Sequence, residues 1–326
     1  MASGASAHDL IVAWLHAAAE PLSGAELARR LGCSRAAVHK HVEALRAAGW
    51  HIEGQHAQGY RLVGAPDRLD AATLGPRLAG RWRRIVSLAE TDSTQRVACE
   101  LARQGTEEGT TVIADRQTAG RGRLGRSWYS PAGANLYCSI VLRPTVAPAR
   151  VPQLALVIGL AVAETVSATS GLSAALKWPN DVLVRGRKAA GVLTEMEAEV
   201  ECVHHVIAGI GVNLNAAGFP PELAATATSL RLEAGRAVDR VGFTAALLAA
   251  VERRYERYLA EGFAPMRHEW EQISWLRGKE IRVTSSEGVL EGRVLGVDDD
   301  GALELATPLG RRRIVAGEVT LRDPVV

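Results

Sequence analysis

A strand, a loop crowded with glycine and arginine, and a second strand form the pattern that most limits this chain. The loop, Gly120-Arg121-Gly122-Arg123-Leu124-Gly125-Arg126, follows a short apolar run at residues 110–114 and leads through Trp128, Tyr129, Pro131 and Gly133 into another at 136–142. Gly120, Gly122 and Gly125 satisfy a bare GxGxxG pattern, but a dinucleotide fingerprint opens straight into a helix and carries an acidic residue about 20 positions later. The two-strand context excludes that reading. What remains is a loop whose glycines let the backbone approach a carboxylate or phosphate and whose arginines add directed, sometimes bidentate hydrogen bonds.

Around this loop the chain changes character twice. Residues 1–64 predict a small helical domain, with a helix over 8–19 that places Leu10, Ile11, Trp14 and Leu15 on one face, and a second over 24–31. The turn Gly32-Cys33-Ser34 follows. Ser34 is placed to cap a third helix carrying Val38, Val42 and Leu45 as one stripe. Two short helices across a glycine turn make a helix-turn-helix, and Gly49, Trp50 and Ile52 followed by Gly59-Tyr60-Arg61-Leu62 suggest the returning strands of a wing. Ser34, Arg35, His39 and Lys40, with Arg61 after the wing, are the candidate DNA contacts. The domain is nearly balanced in charge, although it holds His8, His16, His39, His41, His51 and His56.

Residues 64–71 read as a linker. From 70 to 270, strand candidates at 85–88, 110–114, 136–142, 182–184, 192–195 and 203–212 are interspersed with helical patterns at 93–103, 152–169 and 242–260, which predicts a mixed sheet with helices. From about 273 the chain turns to short strands at 281–283, 288–297, 302–306 and 311–315, and a small β-barrel is the simplest expectation. Asp298-Asp299-Asp300-Gly301 lacks the spaced ligands of a calcium loop and reads as a hairpin turn. The expected class is α+β in three domains, 1–64, 70–270 and 273–326.

The 38 basic and 36 acidic side chains leave a formal charge of +2, so any nucleic-acid role must be local. The apolar stretches around 154–163 and 245–251 are interrupted before the roughly 20 residues a bilayer requires. Met1-Ala2-Ser3-Gly4 carries no basic group ahead of an apolar core. No membrane association and a cytoplasmic location are expected. Cys33, Cys99, Cys138 and Cys202 lack the spacing of a structural zinc site and are expected to be reduced and mostly buried. His204 and His205 face opposite ways along a strand, so they are not expected to ligate a metal together.

Two further clusters accompany the arginine loop. Lys177-Trp178-Pro179-Asn180-Asp181 is followed by Arg187-Lys188-Ala189-Ala190-Gly191, and Gly209-Ile210-Gly211-Val212-Asn213-Leu214-Asn215 gives a strand and a polar turn. Together these resemble the central signature of bacterial biotin-protein ligases, and the resemblance covers almost the entire chain. It is to the bifunctional group, which implies an N-terminal winged helix-turn-helix, a central mixed-sheet biotin/lipoate-ligase-like catalytic domain and a C-terminal SH3-like small β-barrel.

The resemblance also implies roles for residues. Ser93 and Thr94 match the polar residues near the biotin ureido ring, Gln95 stands where the family usually has asparagine, and Gln117 is a further biotin contact. Gly120, Arg121, Gly122 and Arg123 match the ligand loop, Lys188 the lysine near the reacting carboxylate and phosphate, Gly191 a further biotin-binding position, and Arg123 and Lys188 the catalytic pair. Trp128 matches the aromatic residue on the adenine side. Lys177, Asn180 and Asp181 match the nucleotide and magnesium neighbourhood, Asp181 being the metal candidate, and Asn213 a nucleotide-side residue.

The implied substrates are biotin and ATP, with Mg2+. The implied reaction makes biotinoyl-5'-AMP and transfers biotin to a lysine of the biotin carboxyl carrier protein of acetyl-CoA carboxylase, with loop 120–128 ordering over the intermediate. Operator DNA and a ligand-promoted homodimer are the partners implied for a transcriptional repressor. A lipoate-protein ligase, and a DNA-binding sensor of biotinoyl-AMP with little transferase activity, are the competing readings; the GRGRLGRSW and KWPND segments favour biotin.

Overall fold

The computed structural model describes residues 6–55, 59–64, 66–78, 80–285 and 288–321. His56 and the first five residues, which enter the expectations above, lie outside that set.

Local rules account for the N-terminal unit. Helix α1 (Ala7–Ala17) opens with a capping box in which Ser6 Oγ accepts from the Asp9 amide and the Asp9 carboxylate accepts from the Ser6 amide. Helix α2 (Gly24–Leu31) is capped by Ser23 and stops at Gly32, whose φ of 65° suits glycine. Helix α3 (Arg35–Ala47) begins at Ser34, which accepts from the Ala37 amide. Strands β1 (His51–Gln55) and β2 (Gly59–Gly64) pair antiparallel, and Leu22 adds a bridge to Tyr60. Val38, Val42 and Leu45 pack with Ile11, Leu15 and Leu27 in a core of their own. This is the winged helix-turn-helix that the stripe and the glycine turn anticipate.

After α4 (Ala71–Leu74) comes a seven-stranded mixed sheet. Its strands are β3 (Ile85–Thr91), β4 (Thr111–Gln117), β5 (Leu136–Leu142), β6 (Ala174–Lys177), β7 (Asp181–Val184), β8 (Arg187–Ala198) and β9 (Val203–Val212), in the order β3-β4-β5-β9-β8-β7-β6. Helix α5 (Thr94–Arg103) crosses between the parallel strands β3 and β4 and packs through Ala98 and Ala102 on Val112, Val141 and Ile207. On the opposite face, α6 (Gln153–Ser170) packs against α9 (Arg240–Glu261) over Ile113, Cys138 and Ile140. Short helices α7 (Pro221–Ala224) and α8 (Leu230–Ala234) precede α9, and α10 (Ala264–Gln272) follows it.

Three expectations need correction here. Strand β8 starts at Arg187, so Lys188 and Gly191 lie within a strand; Arg185 (φ 49°) and Gly186 (φ 78°) form the tight left-handed turn that pairs it with β7. The stretch Pro148–Ser170 is also longer and more apolar than its interruptions suggest. Its most apolar 18-residue window, with a mean hydropathy of 1.6, meets the length and composition of a membrane span, yet 78% of that window is buried within the protein, where α6 forms the central core helix. Finally, of the four cysteines only Cys138 is fully buried; Cys33 and Cys99 are half-buried, and Cys202 is exposed because it sits in the turn between β8 and β9.

The C-terminal barrel expectation is overturned. Strands β10 (Glu280–Ser285), β11 (Gly288–Val297), β12 (Leu303–Thr307), β13 (Gly310–Ile314) and β14 (Glu318–Leu321) form an open antiparallel sheet in the order β13-β12-β11-β10-β14. Among the described residues no ladder joins β13 to β14. Closure needs those two edges to pair with the right tilt and stagger. Here β14 has only four residues and β13 presents exposed Arg311, Arg312 and Arg313, so the edges are short and charged. The sheet instead shares one core with the central domain through Ile281, Val294, Val297 and Leu305. Trp178 Nε1 donates to the Gly301 carbonyl at 3.0 Å across that junction.

Candidate functional site

One end of the central sheet opens into a cavity of about 520 Å³. Its floor is set by two glycines, Gly191 and Gly211, that are register partners across β8 and β9. A Cβ at Gly211 would stand 2.5 Å from Trp128 Cε2, and one at Gly191 would stand 3.2 Å from Cζ3, so the indole rests on bare backbone. Trp128 Nε1 is buried and has no hydrogen-bond partner.

The start of α5 forms one wall. Asp92, just past the end of β3, accepts from Arg96 Nε at 2.5 Å and Nη2 at 3.0 Å and from the Ser93 amide at 2.7 Å. The Arg96 guanidinium, aided by that amide, holds its carboxyl down at about 2. Ser93 is buried with its Oγ unpartnered. The Thr94 amide donates to Gln117 Oε1 at 2.9 Å, Gln117 Nε2 donates to Ser130 Oγ at 3.0 Å, and Ser130 Oγ donates to the Trp128 carbonyl at 2.9 Å. This chain ties helix, strand and loop together. Gln95 bonds within the protein at both ends of its amide: Nε2 donates to the Ile207 carbonyl at 3.0 Å, and Oε1 accepts from Ser139 Oγ at 3.1 Å. Its side chain thereby ties α5 to β9 and β5.

The arginine loop forms the roof. Trp128 N donates to Gly120 O at 2.8 Å and Gly122 N to Arg126 O at 2.7 Å, closing a tight turn in which Leu124 takes a φ of 56°. That left-handed conformation is uncommon for leucine and is stored strain. Two of the three arginines tie the loop to neighbouring strands, Arg121 to Glu195 of β8 at 2.9 Å and Arg126 to Glu318 of β14. Arg123 turns inward, and its Nη1 donates to Asn180 Oδ1 at 3.3 Å. Burial lowers the pKa of its guanidinium from the ordinary arginine value.

The β7–β8 hairpin supplies the remaining charges. Lys188 Nζ lies 2.6 Å from Asp181 Oδ1 and 5.3 Å from the centre of the Trp128 ring. Burial pushes the Lys177 ammonium below the usual lysine range, with Asp181 opposing the shift. Asn180 Nδ2 donates to the Val192 carbonyl at 2.8 Å, and Asn213 Nδ2 to the Thr228 carbonyl at 3.1 Å. Among the described residues the cavity is lined by only two carboxylates, Asp181 and Glu318. Glu318 is engaged by Arg126. Asp181 is a single hard oxygen donor, the kind of ligand Mg2+ takes when it arrives on substrate phosphates and keeps most of its waters.

The cavity gathers nearly every residue singled out in the sequence: Ser93, Thr94, Gln95, Gln117, Arg121, Gly122, Arg123, Trp128, Lys177, Asn180, Asp181, Lys188, Gly191 and Asn213 all line it. Gly120 does not. A Cβ there would stand 2.7 Å from Ser130 Oγ, so this glycine allows the base of the loop to close. Sequence reasoning missed Ser130, Ser139 and Glu318, and quoted Gly211 only within a strand-and-turn cluster, without a role in the site. Glycines two apart at 209 and 211 in an apolar strand were the available signal for a flat face; nothing local marked the others. In the N-terminal unit Arg35, His39 and Lys40 are exposed on α3 and Arg61 on β2, while the Ser34 hydroxyl is used as a helix cap.

Comparison with known proteins gives a consistent assignment for all three parts. Residues 88–213 match the model of the biotin/lipoate A/B protein ligase family, residues 8–61 an HTH domain, and residues 277–322 the biotin protein ligase C terminal domain. The chain is 39% identical to the bifunctional ligase/repressor BirA of Bacillus subtilis over 96% of its own length and 98% of that protein. It is 32% identical to the Escherichia coli protein of the same description, over 92% of this chain and 93% of that one. A solved structure of the biotin protein ligase from Aquifex aeolicus in complex with biotin and ATP superposes with a TM-score of 0.65 at 32% identity, covering 74% of this chain and 99% of that chain.

Proposed function

Since the chain belongs to the bifunctional biotin-protein ligase/repressor family, with its ATP-dependent ligase activity, we propose that it activates biotin as biotinoyl-5'-AMP and transfers it to a lysine of the biotin carboxyl carrier protein of acetyl-CoA carboxylase. The observation that carries this reading is the convergence of Arg123, Lys177 and Lys188 on a cavity that also holds Ser93, whose buried Oγ has no protein partner.

In the first step a biotin carboxylate oxygen attacks the α-phosphorus of ATP and pyrophosphate leaves. Two anions must meet, and the inward cations lower that repulsion in a desolvated site where each charge counts for more than in water. Arg123 and Lys188 stand at the reacting groups, and Lys177 and Asn180 on the nucleotide side, with Asn213 beside them. Ser93, Thr94, Gln117 and Gly191 hold biotin, and Trp128 covers the adenine side of the nucleotide. Asp181 is the residue suited to hold Mg2+, which when bound neutralises charge on the departing phosphates. No protein nucleophile is required. In the second step the acceptor amine attacks the biotinoyl carbonyl, AMP leaves, and the amine gives up its proton; proximity and the anhydride supply most of the acceleration. Loop 120–128, pinned at Arg121 and Arg126, closes over the intermediate and excludes water.

The domain boundaries that go with this reading are 1–64 for operator binding, 70–270 for catalysis and 273–326 for the C-terminal domain. The exposed Arg35, His39, Lys40 and Arg61 support placing α3 in a major groove, with a ligand-promoted homodimer joining two half-sites. Labelling of a biotin carboxyl carrier domain with ATP and either biotin or lipoate tests the proposal. Biotin alone should be attached. Attachment of lipoate instead would make the chain a lipoate ligase, and adenylate formation without attachment would make it a sensor.

A further inference from the structure

Outside the cavity lining, but on the same face of the central sheet, three metal-binding side chains converge. Glu197 of β8 and His205 of β9 are register partners, and Cys99 projects from α5, which packs over that face. The Cys99 sulfur, a Glu197 carboxylate oxygen and a His205 ring nitrogen all lie within 4.8 Å of one another. His205 Nε2 is 3.8 Å from Glu197 Oε2. None of the three lines the cavity or has a part in the ligation chemistry.

We propose that Cys99, Glu197 and His205 form a three-ligand site for a zinc-class divalent cation, with a solvent molecule completing a tetrahedron. Zinc bonds of about 2.0–2.3 Å to nitrogen, oxygen and sulfur put tetrahedral donors roughly 3.4–3.6 Å apart. The observed spacing reaches that with small side-chain shifts. A thiolate and an imidazole select zinc over the hard cations, which prefer all-oxygen sets. His205 is 3% exposed, and burial lowers its imidazole pKa, the direction that favours the neutral, ligating form. The competitor is Arg103, whose Nε donates to Glu197 Oε2 at 2.8 Å. Both of those side chains are about half exposed, 58% and 46%, so releasing that pair costs little.

Such a cation would staple α5, whose first turn carries Thr94 and Gln95, to the β8–β9 hairpin. The test is cobalt titration of the full-length, metal-free protein followed by absorption spectroscopy. One equivalent should produce a thiolate-to-cobalt charge-transfer band together with tetrahedral ligand-field bands, and zinc should displace both. Cys99→Ser and His205→Gln should each abolish the charge-transfer band or its tetrahedral signature, while Cys202→Ser, which removes the exposed thiol of the nearby turn, should leave both intact. Far-ultraviolet circular dichroism of the metal-free variants separates loss of ligand from loss of fold, and the His205→Gln result stands if the cysteine variant fails to fold. Absence of a thiolate band, its persistence in Cys99→Ser, or its loss in Cys202→Ser would overturn the site.

Discussion

Trp128 and Gly211 fit against each other so closely that a single methyl group on Gly211 would stand 2.5 Å from the indole. Gly211 has an ordinary strand conformation, so alanine strains no backbone there. Its cost falls on the ring. Gly211→Ala should displace Trp128 and raise the KM for ATP by roughly tenfold or more, the consequence of about 1–3 kcal/mol of overpacking, with a smaller change in melting temperature. Steady-state kinetics with ATP varied checks it.

Asp181 is paired to Lys188 and is the one cavity carboxylate not engaged by the arginine loop. Asp181→Asn keeps the shape and removes the charge. The Mg2+ concentration for half-maximal rate should rise about tenfold, the order expected for losing one of few protein ligands, while biotin binding measured without nucleotide stays near the wild-type value.

Asp92 offers a prediction with a definite pH window. Its carboxyl is depressed from 3.8 to about 2, chiefly by Arg96, so the folded state favours the charged form. The resulting stability is fully present above the unfolded value and disappears as pH falls through the folded one. Asp92→Asn should therefore lower the melting temperature by a constant amount between pH 5 and pH 8, both of which lie above about 3.8. That deficit should shrink below about pH 4 and close near pH 2. Melting curves of the two proteins across that range are the check.

Arg240, 2% exposed, binds the linker and the catalytic sheet at once: Nε donates to Asp67 Oδ1 at 2.7 Å, and Nη1 donates to the Asn135 carbonyl at 3.1 Å and to Asp115 Oδ1 at 3.3 Å. Arg240→Met should destabilise the protein by about 2–3 kcal/mol in urea unfolding, through lost charged hydrogen bonds. Both carboxylates remain partly exposed and can rehydrate, which keeps the loss below that of stranding a fully buried charge.

These cases also show which parts of the molecule were legible in the sequence. The winged helix-turn-helix was, because Ser34, the Val38-Val42-Leu45 stripe and Gly32 are local signals, all within fourteen consecutive residues. So was the cavity's membership, since the GRGRLGRSW and KWPND segments keep their chemistry contiguous. Pairings between distant segments were not. Arg240 meets Asp67 across 173 positions, and Cys99 reaches His205 only through α5 lying over the sheet. The C-terminal sheet failed for the same reason: short alternating strands announce a small β fold, but whether β13 pairs with β14 depends on edge lengths and charges that periodicity does not report. Apolar α6 was likewise ambiguous by composition, and only the packing of α9 and the sheet around it shows it to be core.

The central claim is that inward-facing Arg123 and Lys188 bring the two anionic substrates together. Single-turnover, biotin-dependent pyrophosphate release by the wild type, Arg123→Ala and Lys188→Ala measures that step without the acceptor protein. Each variant should lose about 10²–10³-fold in rate while retaining its melting temperature within a few degrees. Wild-type rates in both variants would show that the cationic cavity does not perform the activation.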